Sequence, residues 1–477
     1  VEAEHLAREH ADVVAAVEAG ADWQQRALTD LVAIPGVSGA DGDPAALRRS
    51  AEATARLARS AGMDAVELLE VGDAPPAVLA TARTTRPEAP TLLLYAHHDV
   101  QPPGDVDAWT SAPFTATERH DRLYGRGAAD DKAGVITHLA ALEAWQRARG
   151  APPCHVTLLV EGEEEVGSPH FDALLRAHAD RLAADAVVVV DTLNWQVGQP
   201  TLTTSLRGLV DATVEVAATD HALHSGLYGG PVPDVVSALA QLLASCVDGH
   251  GAVAIPGFGE DIAPLGASER ATLEALPFDE AAFRAETGLR PEVPLAGEPQ
   301  AHPLERLWRR PHLTVTGIDA PAVAGAANAL QPRARARVSV RLAPGQSPER
   351  AQRLLRDWLE AQAPLGLRAT VTLGAAASPF VVDADNPVVQ AAASALEGGY
   401  GAPTTFAGVG GTIPFLEPLV ARQGPIPVLM AGIEDPDSRA HGIDESVHLG
   451  DLRRACRAQA LLLPAVTAAL DGEGRGS

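Results

Sequence analysis

The sequence predicts an α/β protein in two parts: a split α/β domain around a mainly parallel central sheet, and an inserted α+β domain of ferredoxin-like type. Three observations carry this. TLLLYAH (91–97), HVTLLVE (155–161) and AVVVVD (186–191) are short, nearly continuous apolar runs, as strands buried on both faces are. Helical patterns lie between them, and strand–helix–strand order makes an α/β layer. From Gly208 the texture changes to half-buried alternation.

In chain order, residues 44–61 read as an amphipathic helix, and 66–71 and 77–82 as strands. The buried run 91–97 follows, then a helix over 131–149 ended by Gly150. After the strands 155–161 and 186–191, LVDATVEVA (209–217) alternates as a half-buried strand and 233–247 is helical. LTVTGI (313–318) and ARARVSVRLA (334–343) are strands, 347–362 is a helix and ATVTLG (369–374) a last strand. That order, βαββαβ, is the split ferredoxin-like motif. A Gly/Pro-rich stretch at 249–311 interrupts it and is too long for a simple loop. The final hundred residues return to a helix, a Gly-rich turn, the strand IPVLMAG and a closing helix. The expected domains are therefore 1–205, 206–376 and 377–477, the first and last forming one unit.

Composition narrows the partners. With 37 Lys and Arg against 62 Asp and Glu, the formal charge of −25 repels phosphate backbones, so no nucleic-acid partner is expected. The densest basic run, Arg333, Arg335 and Arg337, alternates along a strand. No apolar run reaches the roughly 18 residues of a membrane span, and the acidic, helical VEAEHLAREH is not a secretory signal. Three distant cysteines, Cys154, Cys246 and Cys456, make neither a disulfide framework nor a zinc ribbon and are expected in the core. A cytoplasmic setting follows as the default. Lys132 is the only lysine.

The chemistry gathers at strand ends. His97 and Asp99 share a face because strand side chains alternate, and His98 does not. A carboxylate on that face can hold the ring N–H of a metal-bound imidazole, which favours His97 over His98 as a ligand. HVTLLV runs into Glu161, Glu163, Glu164 and Glu165; AVVVV ends at Asp191; and Asp130 opens the crossover helix after Gly125-Arg126-Gly127. Open α/β sheets build their sites at this edge. Several carboxylates there repel one another unless cations sit among them, and a pair of divalent ions is the standard arrangement for hydrolysis. Imidazole and carboxylate without thiolate suit zinc, and also cobalt or manganese. There is no HExxH helix.

Eight strings in a fixed order then carry a resemblance. They are YAHHDVQPP (95–103), LYGRGAADDKAG (123–134), EGEEEVGS (161–168), VVVVDT (187–192), HSGLYGG (224–230), VSVRLAP (338–344), GGTIP (410–414) and AHGIDE (440–445). The chain resembles the co-catalytic dinuclear zinc amidohydrolases, a family that includes carnosinase-type dipeptidases, acetylornithine deacetylase and succinyl-diaminopimelate desuccinylase. DVQPP, GRG-x-x-DDK and HSG-x-x-GG lean toward the dipeptidase branch. The resemblance implies a phosphorylase/hydrolase-like catalytic domain and a ferredoxin-like lid that dimerises.

Position by position, it implies two Zn2+ per subunit (Co2+ or Mn2+ as substitutes) bridged by Asp130. His97 and Asp191 would complete one site, Glu165 and His441 the other. Glu164 would be the general base, Asp99 would support His97, and the Asp130–Asp131 peptide would be cis. His224 would reach over from a second subunit as oxyanion donor, and Arg341 would grip the substrate's terminal carboxylate, with Gly411 and Thr412 in the same binding region. Departures from the family pattern are Ala96 and Ala133 for glycines, Gly408-Val409 for an Arg-Glu pair, and GIDE after His441 for SPNE. None removes a ligand. The expected activity is hydrolysis of dipeptides or short peptides with a free C-terminal carboxylate. The alternative is an N-acyl-amino-acid amidohydrolase; a non-catalytic binding protein of the same fold would have lost the base or a ligand.

Overall fold

The computed structural model describes residues 3–473 apart from 41, 412 and 414. The chain divides into two compact units, Val1–Thr204 with Val382–Ala407 and Pro414–Ser477, and Ser205–Val381 with Gly408–Ile413. The second passage between them thus lies near 381 rather than 376. The short segment Gly408–Ile413 groups with the second unit although the chain around it belongs to the first.

The first unit is built on the strand Thr91–His97, buried along its whole length after Thr91. Both edges of this strand pair in parallel, with His155–Glu161 on one side and Ala186–Leu193 on the other. Val428–Glu434 adds a fourth parallel strand beside Ala186–Leu193. Antiparallel strands Ala77–Ala82 and Ala65–Leu69 extend one flank, and Thr201–Leu206 the other. The apolar runs are continuous because helices cover both faces of these strands, leaving no polar side to alternate with. The helix Lys132–Arg149 is buried from Lys132 through Leu142 and ends at left-handed Gly150, whose N–H donates to Gln146 O. It shares one core with Pro387–Tyr400 and the closing helix Leu449–Glu473.

The register His97↔Glu161 brings two of the expected acidic and imidazole residues level at the carboxyl edge of the sheet. Asp191, in the next strand, ends its buried run at the same edge.

The second unit has a four-stranded antiparallel sheet in the order His312–Asp319, Arg333–Leu342, Gly208–Ala217, Arg368–Ala377. Along Arg333–Leu342 every second residue is buried, because only one face carries helices. Val235–Ala244, N-capped by Asp234, and Pro348–Ala361, N-capped by Ser347, supply that cover. Leu239, Leu242, Leu355 and Leu359 are buried between sheet and helices; truncating one such leucine to alanine costs about 2–5 kcal/mol. The 249–311 segment contains the helices Ala267–Ala275, Glu280–Thr287 and Pro303–Trp308. All three cysteines are buried and unpaired.

Candidate metal centre

His97 occupies the last position of its strand with its side chain fully buried. Its Nδ1 lies 3.1 Å from the carbonyl oxygen of Asp99. A carbonyl can only accept, so Nδ1 carries a proton, which leaves Nε2 as the ring nitrogen able to bind a metal ion. That Nε2 faces Asp130 Oδ1 at 3.0 Å and Asp191 Oδ2 at 3.8 Å. His98 turns to the other face, where its Nε2 donates to Pro76 O at 2.9 Å.

Asp99 does more than support the imidazole. Its carboxylate is 3.4 Å from His97 Nδ1, farther than its own carbonyl. The two carboxylate oxygens instead accept the backbone N–H groups of Glu164 and Glu165, each at 3.2 Å. One buried side chain therefore aligns the acidic loop with the strand end.

Asp130 sits between two imidazoles. His441 Nε2 lies 2.9 Å from Asp130 Oδ2 and 3.0 Å from Glu165 Oε2, so each oxygen of Asp130 faces a different histidine. The donor atoms form two groups sharing one residue, His97–Asp130–Asp191 and Asp130–Glu165–His441, with atoms inside each group within 4.8 Å of one another. A shared carboxylate with one oxygen per group is what a bridging ligand between two metal ions needs. The donor set, two imidazoles and three carboxylates without thiolate, suits zinc, cobalt or manganese.

The charges fit the same reading. Burial, reinforced by Asp131, pushes Asp191 well above the usual carboxylate range. Burial also works against ionisation of Asp130, but hydrogen bonds from His441 and His97 hold it low. Asp130 and Glu165 in turn raise His441 to about 11. Acids crowded and desolvated to this degree are stabilised by a cation among them.

Glu164 belongs to neither donor group. Burial pushes its carboxyl up to about 7, with the charges of Asp130, Glu165 and Asp99 adding to the effect and that of His97 opposing it. A carboxylate tuned close to neutrality beside the two donor groups has the properties of a proton shuttle.

The remaining sites expected from the sequence lie in the second unit. His224 is exposed and precedes the short helix Ser225–Tyr228, capping it by accepting the Gly226 N–H at its Nδ1. Arg341 is partly buried on the strand Arg333–Leu342, opposite His312. Gly411 is described, whereas Thr412 lies outside the described residues.

Sequence reasoning missed the tethers. Glu445 accepts the N–H groups of Ala129 and Asp130 through Oε1 and pairs through Oε2 with Arg126 Nη1 at 2.5 Å. Arg126 also donates to the carbonyls of Pro102 and Gly442, joining three of the motif strings. Gln101 donates to Glu165 from its backbone N–H and its side-chain amide. These residues lie inside the strings YAHHDVQPP, LYGRGAADDKAG and AHGIDE, which was the available signal. Lys132 is buried and donates to the carbonyls of Leu31 and Ile34; burial lowers it to about 8. The Asp130–Asp131 peptide is cis. Gly134 is fixed by close approach: a Cβ there would collide with Asp131 Oδ1 and the Val190 carbonyl.

Comparison with known proteins agrees with this geometry. A profile of peptidase family M20/M25/M40 matches residues 93–465. The chain belongs to this family. It is 34% identical over 378 residues to the cysteinylglycine-S-conjugate dipeptidase of Corynebacterium striatum, covering 79% of this chain and 81% of the relative. It is 31% identical over 289 residues to the Beta-Ala-His dipeptidase of Mus musculus, covering 60% of this chain and 58% of that one. The crystal structure of human carnosine dipeptidase 1 superposes with a TM-score of 0.81 at 25% identity, over 96% of this chain and 98% of that structure. The M20 peptidase fold therefore holds for nearly the whole chain.

Proposed function

We propose that this protein is a metallo-dipeptidase that hydrolyses dipeptides or short peptides with a free C-terminal carboxylate, using two zinc ions per subunit. The single observation that carries the reading is Asp130, with one carboxylate oxygen toward His97 and the other toward His441, beside an acid that is not a ligand. His97 and Asp191 would hold one ion, Glu165 and His441 the other. Bound zinc supplies an acidified water and polarises the scissile carbonyl. Glu164 takes a proton from the attacking water and returns one to the leaving amine. Asp99 keeps Glu164 in place through the backbone N–H that it accepts. Arg341 holds the substrate carboxylate as a bidentate pair, and Gly411 and Thr412 are further substrate-binding candidates.

The second unit has the features of a dimerisation element. The strand His312–Asp319 is an edge of its sheet and exposes Val315 and Ile318. Pairing of two such edges would bury both and supply His224 to the partner's site, where its ring N–H stabilises the oxyanion. Mixing and re-associating inactive His224→Ala protein with inactive Glu164→Gln protein tests this. Partial recovery of activity is expected, because one of the two hybrid sites keeps both groups; no recovery after demonstrated subunit exchange contradicts it. Among the described residues no helix is long and apolar enough to cross a membrane. Three unpaired cysteines support a reducing, cytoplasmic setting.

A substrate panel tests the function itself. Xaa-Gly, Xaa-His and β-Ala-His dipeptides are compared with N-acetyl and N-succinyl amino acids in added zinc, manganese or cobalt. Preferred cleavage of dipeptides is expected; exclusive cleavage of the N-acyl compounds would make the protein an N-acyl-amino-acid amidohydrolase instead.

A further inference from the structure

His441 is delivered by a loop whose backbone is strained. The loop leaves the central sheet after the strand Val428–Glu434 and ends at the strand Ser446–His448. Ser446–His448 pairs antiparallel with Arg122–Tyr124, with His448 opposite Arg122 and Ser446 opposite Tyr124. Strands this short are a weak anchor by themselves. Arg439, His441 and Asp444 all have left-handed backbone, at φ 54°, 62° and 60°, which the Cβ of a non-glycine residue disfavours. A loop in that state keeps its shape only where its surroundings hold it.

Arg122 holds both ends of this loop. Its Nη1 and Nη2 donate to the two carboxylate oxygens of Asp435 at 3.0 and 2.9 Å, the bidentate arrangement that a planar guanidinium fits. At the other end its Nε donates to Ser446 Oγ at 2.8 Å and its Nη2 to the Ser446 carbonyl at 3.1 Å. Ser438 accepts from Nη2 at 3.2 Å and closes the same ring. Its N–H donates to the Asp435 carbonyl at 2.8 Å, and its own carbonyl accepts the Ser446 N–H at 2.9 Å. Arg122, Asp435, Ser438 and Ser446 are all buried, so these bonds form away from water, where a fully satisfied polar network fixes one geometry. Arg122 also opens the strand that runs into Gly125-Arg126-Gly127 and on to Asp130. One side chain thus ties the segment carrying the shared carboxylate to the loop carrying His441, whose Nε2 faces Asp130 and Glu165.

We propose that Arg122 is a positioning residue for the donor group Asp130–Glu165–His441: by clamping Asp435 to Ser446 it sets where His441 meets the two carboxylates, and hence how tightly that group holds a metal ion. This rests on the two-metal reading above, in which His441 is a ligand. Arg122 acts through the loop and not on a donor atom. Lysine at this position would keep the charge but present a single ammonium, which cannot pair with both oxygens of Asp435 and reach Ser446 at the same time. The loop therefore uses the shape of the guanidinium as well as its charge.

The test is zinc titration of the full chain, stripped of metal beforehand, with the phase that disappears in His441→Ala assigned to this donor group. Arg122→Lys is expected to weaken that phase about tenfold, the low end of the effect of losing a partner behind a ligand, and to leave the other phase unchanged. Its turnover of a dipeptide should fall at limiting zinc and return to the wild-type kcat at saturating zinc, a rescue that general damage to the fold does not show. Ser446→Ala is the milder variant, since it removes only the bond from Nε. The same phase should weaken about threefold, the effect of one ordinary hydrogen bond. If Arg122→Lys does not fold, Ser446→Ala decides alone. An unchanged phase in either folded variant, or equal weakening of both phases, would overturn the proposal while the two-metal reading stands. Wild-type protein that takes up no zinc, or His441→Ala protein that retains both phases, would overturn that reading and the proposal with it.

Discussion

The two donor groups that share Asp130 are built in different ways. His97 has no exposed side-chain surface and ends a strand paired on both edges, whereas His441 is 56% exposed and sits in a loop with left-handed backbone at φ 62°. The buried group is held by sheet register and core packing. The open group depends on polar tethers: Glu445 and Arg126 on one side, Gln101 on the other. A ligand on a sheet edge is rigid because displacing it breaks the core, while a ligand on a loop is only as fixed as the hydrogen bonds that hold the loop. The two groups should therefore respond differently to substitution.

The largest effect should come from the residue common to both. Asp130→Ala is expected to lose both ions by metal analysis and to reduce turnover by more than loss of the base does. Retention of one tightly held ion would show that the groups do not share their bridge. Next is Glu164→Gln, which should keep both ions yet lower kcat by about 10²–10⁴, the usual contribution of a general base; loss of metal with activity intact in the residual holoenzyme would exchange the roles of Glu164 and Glu165. A smaller and more discriminating change is Glu445→Gln. It keeps an amide oxygen for the Ala129 and Asp130 N–H groups but removes the charge facing Arg126. Affinity at the open group should fall about 10–100-fold, as is typical when a partner behind a ligand is lost, with the buried group unaffected in a two-phase metal titration. Equal weakening of both phases would erase the distinction.

The smallest effect concerns a buried histidine with no acid beside it. His138 donates its Nε2–H to the Tyr95 carbonyl, and burial lowers it to about 4 from 6.5. Its folded pKa is depressed, so its neutral form adds full stability above pH 6.5, and that contribution is lost as pH falls toward 4. The 2.5-unit gap corresponds to on the order of 3 kcal/mol. His138→Leu should therefore flatten the acid side of a denaturation-versus-pH curve between these values. His97, surrounded by Asp99, Asp130 and Asp191, is pushed the opposite way, well above the ordinary imidazole value despite its burial.

What was legible in the sequence follows the same division. Buried strands announce themselves as apolar runs, and alternation along them separates His97 from His98, so this edge could be assembled from periodicity alone. His441 has no such pattern: it follows a strand by seven residues in a loop, and only the string AHGIDE marked it. The tethers were harder still. Arg126 and Glu445 are 319 positions apart, and no local rule pairs residues across that distance. The role of Asp99 was half visible, since spacing put it beside His97, but its carboxylate bonds to a loop 65 residues away.

The most direct measurement is anomalous diffraction at the zinc edge from zinc-loaded crystals. Two peaks about 3.5–4 Å apart are expected, one against His97 and Asp191, the other against Glu165 and His441, with Asp130 between them and Glu164 bound to neither. A single peak, or a second ion ligated by Glu164 in place of Glu165, would contradict it.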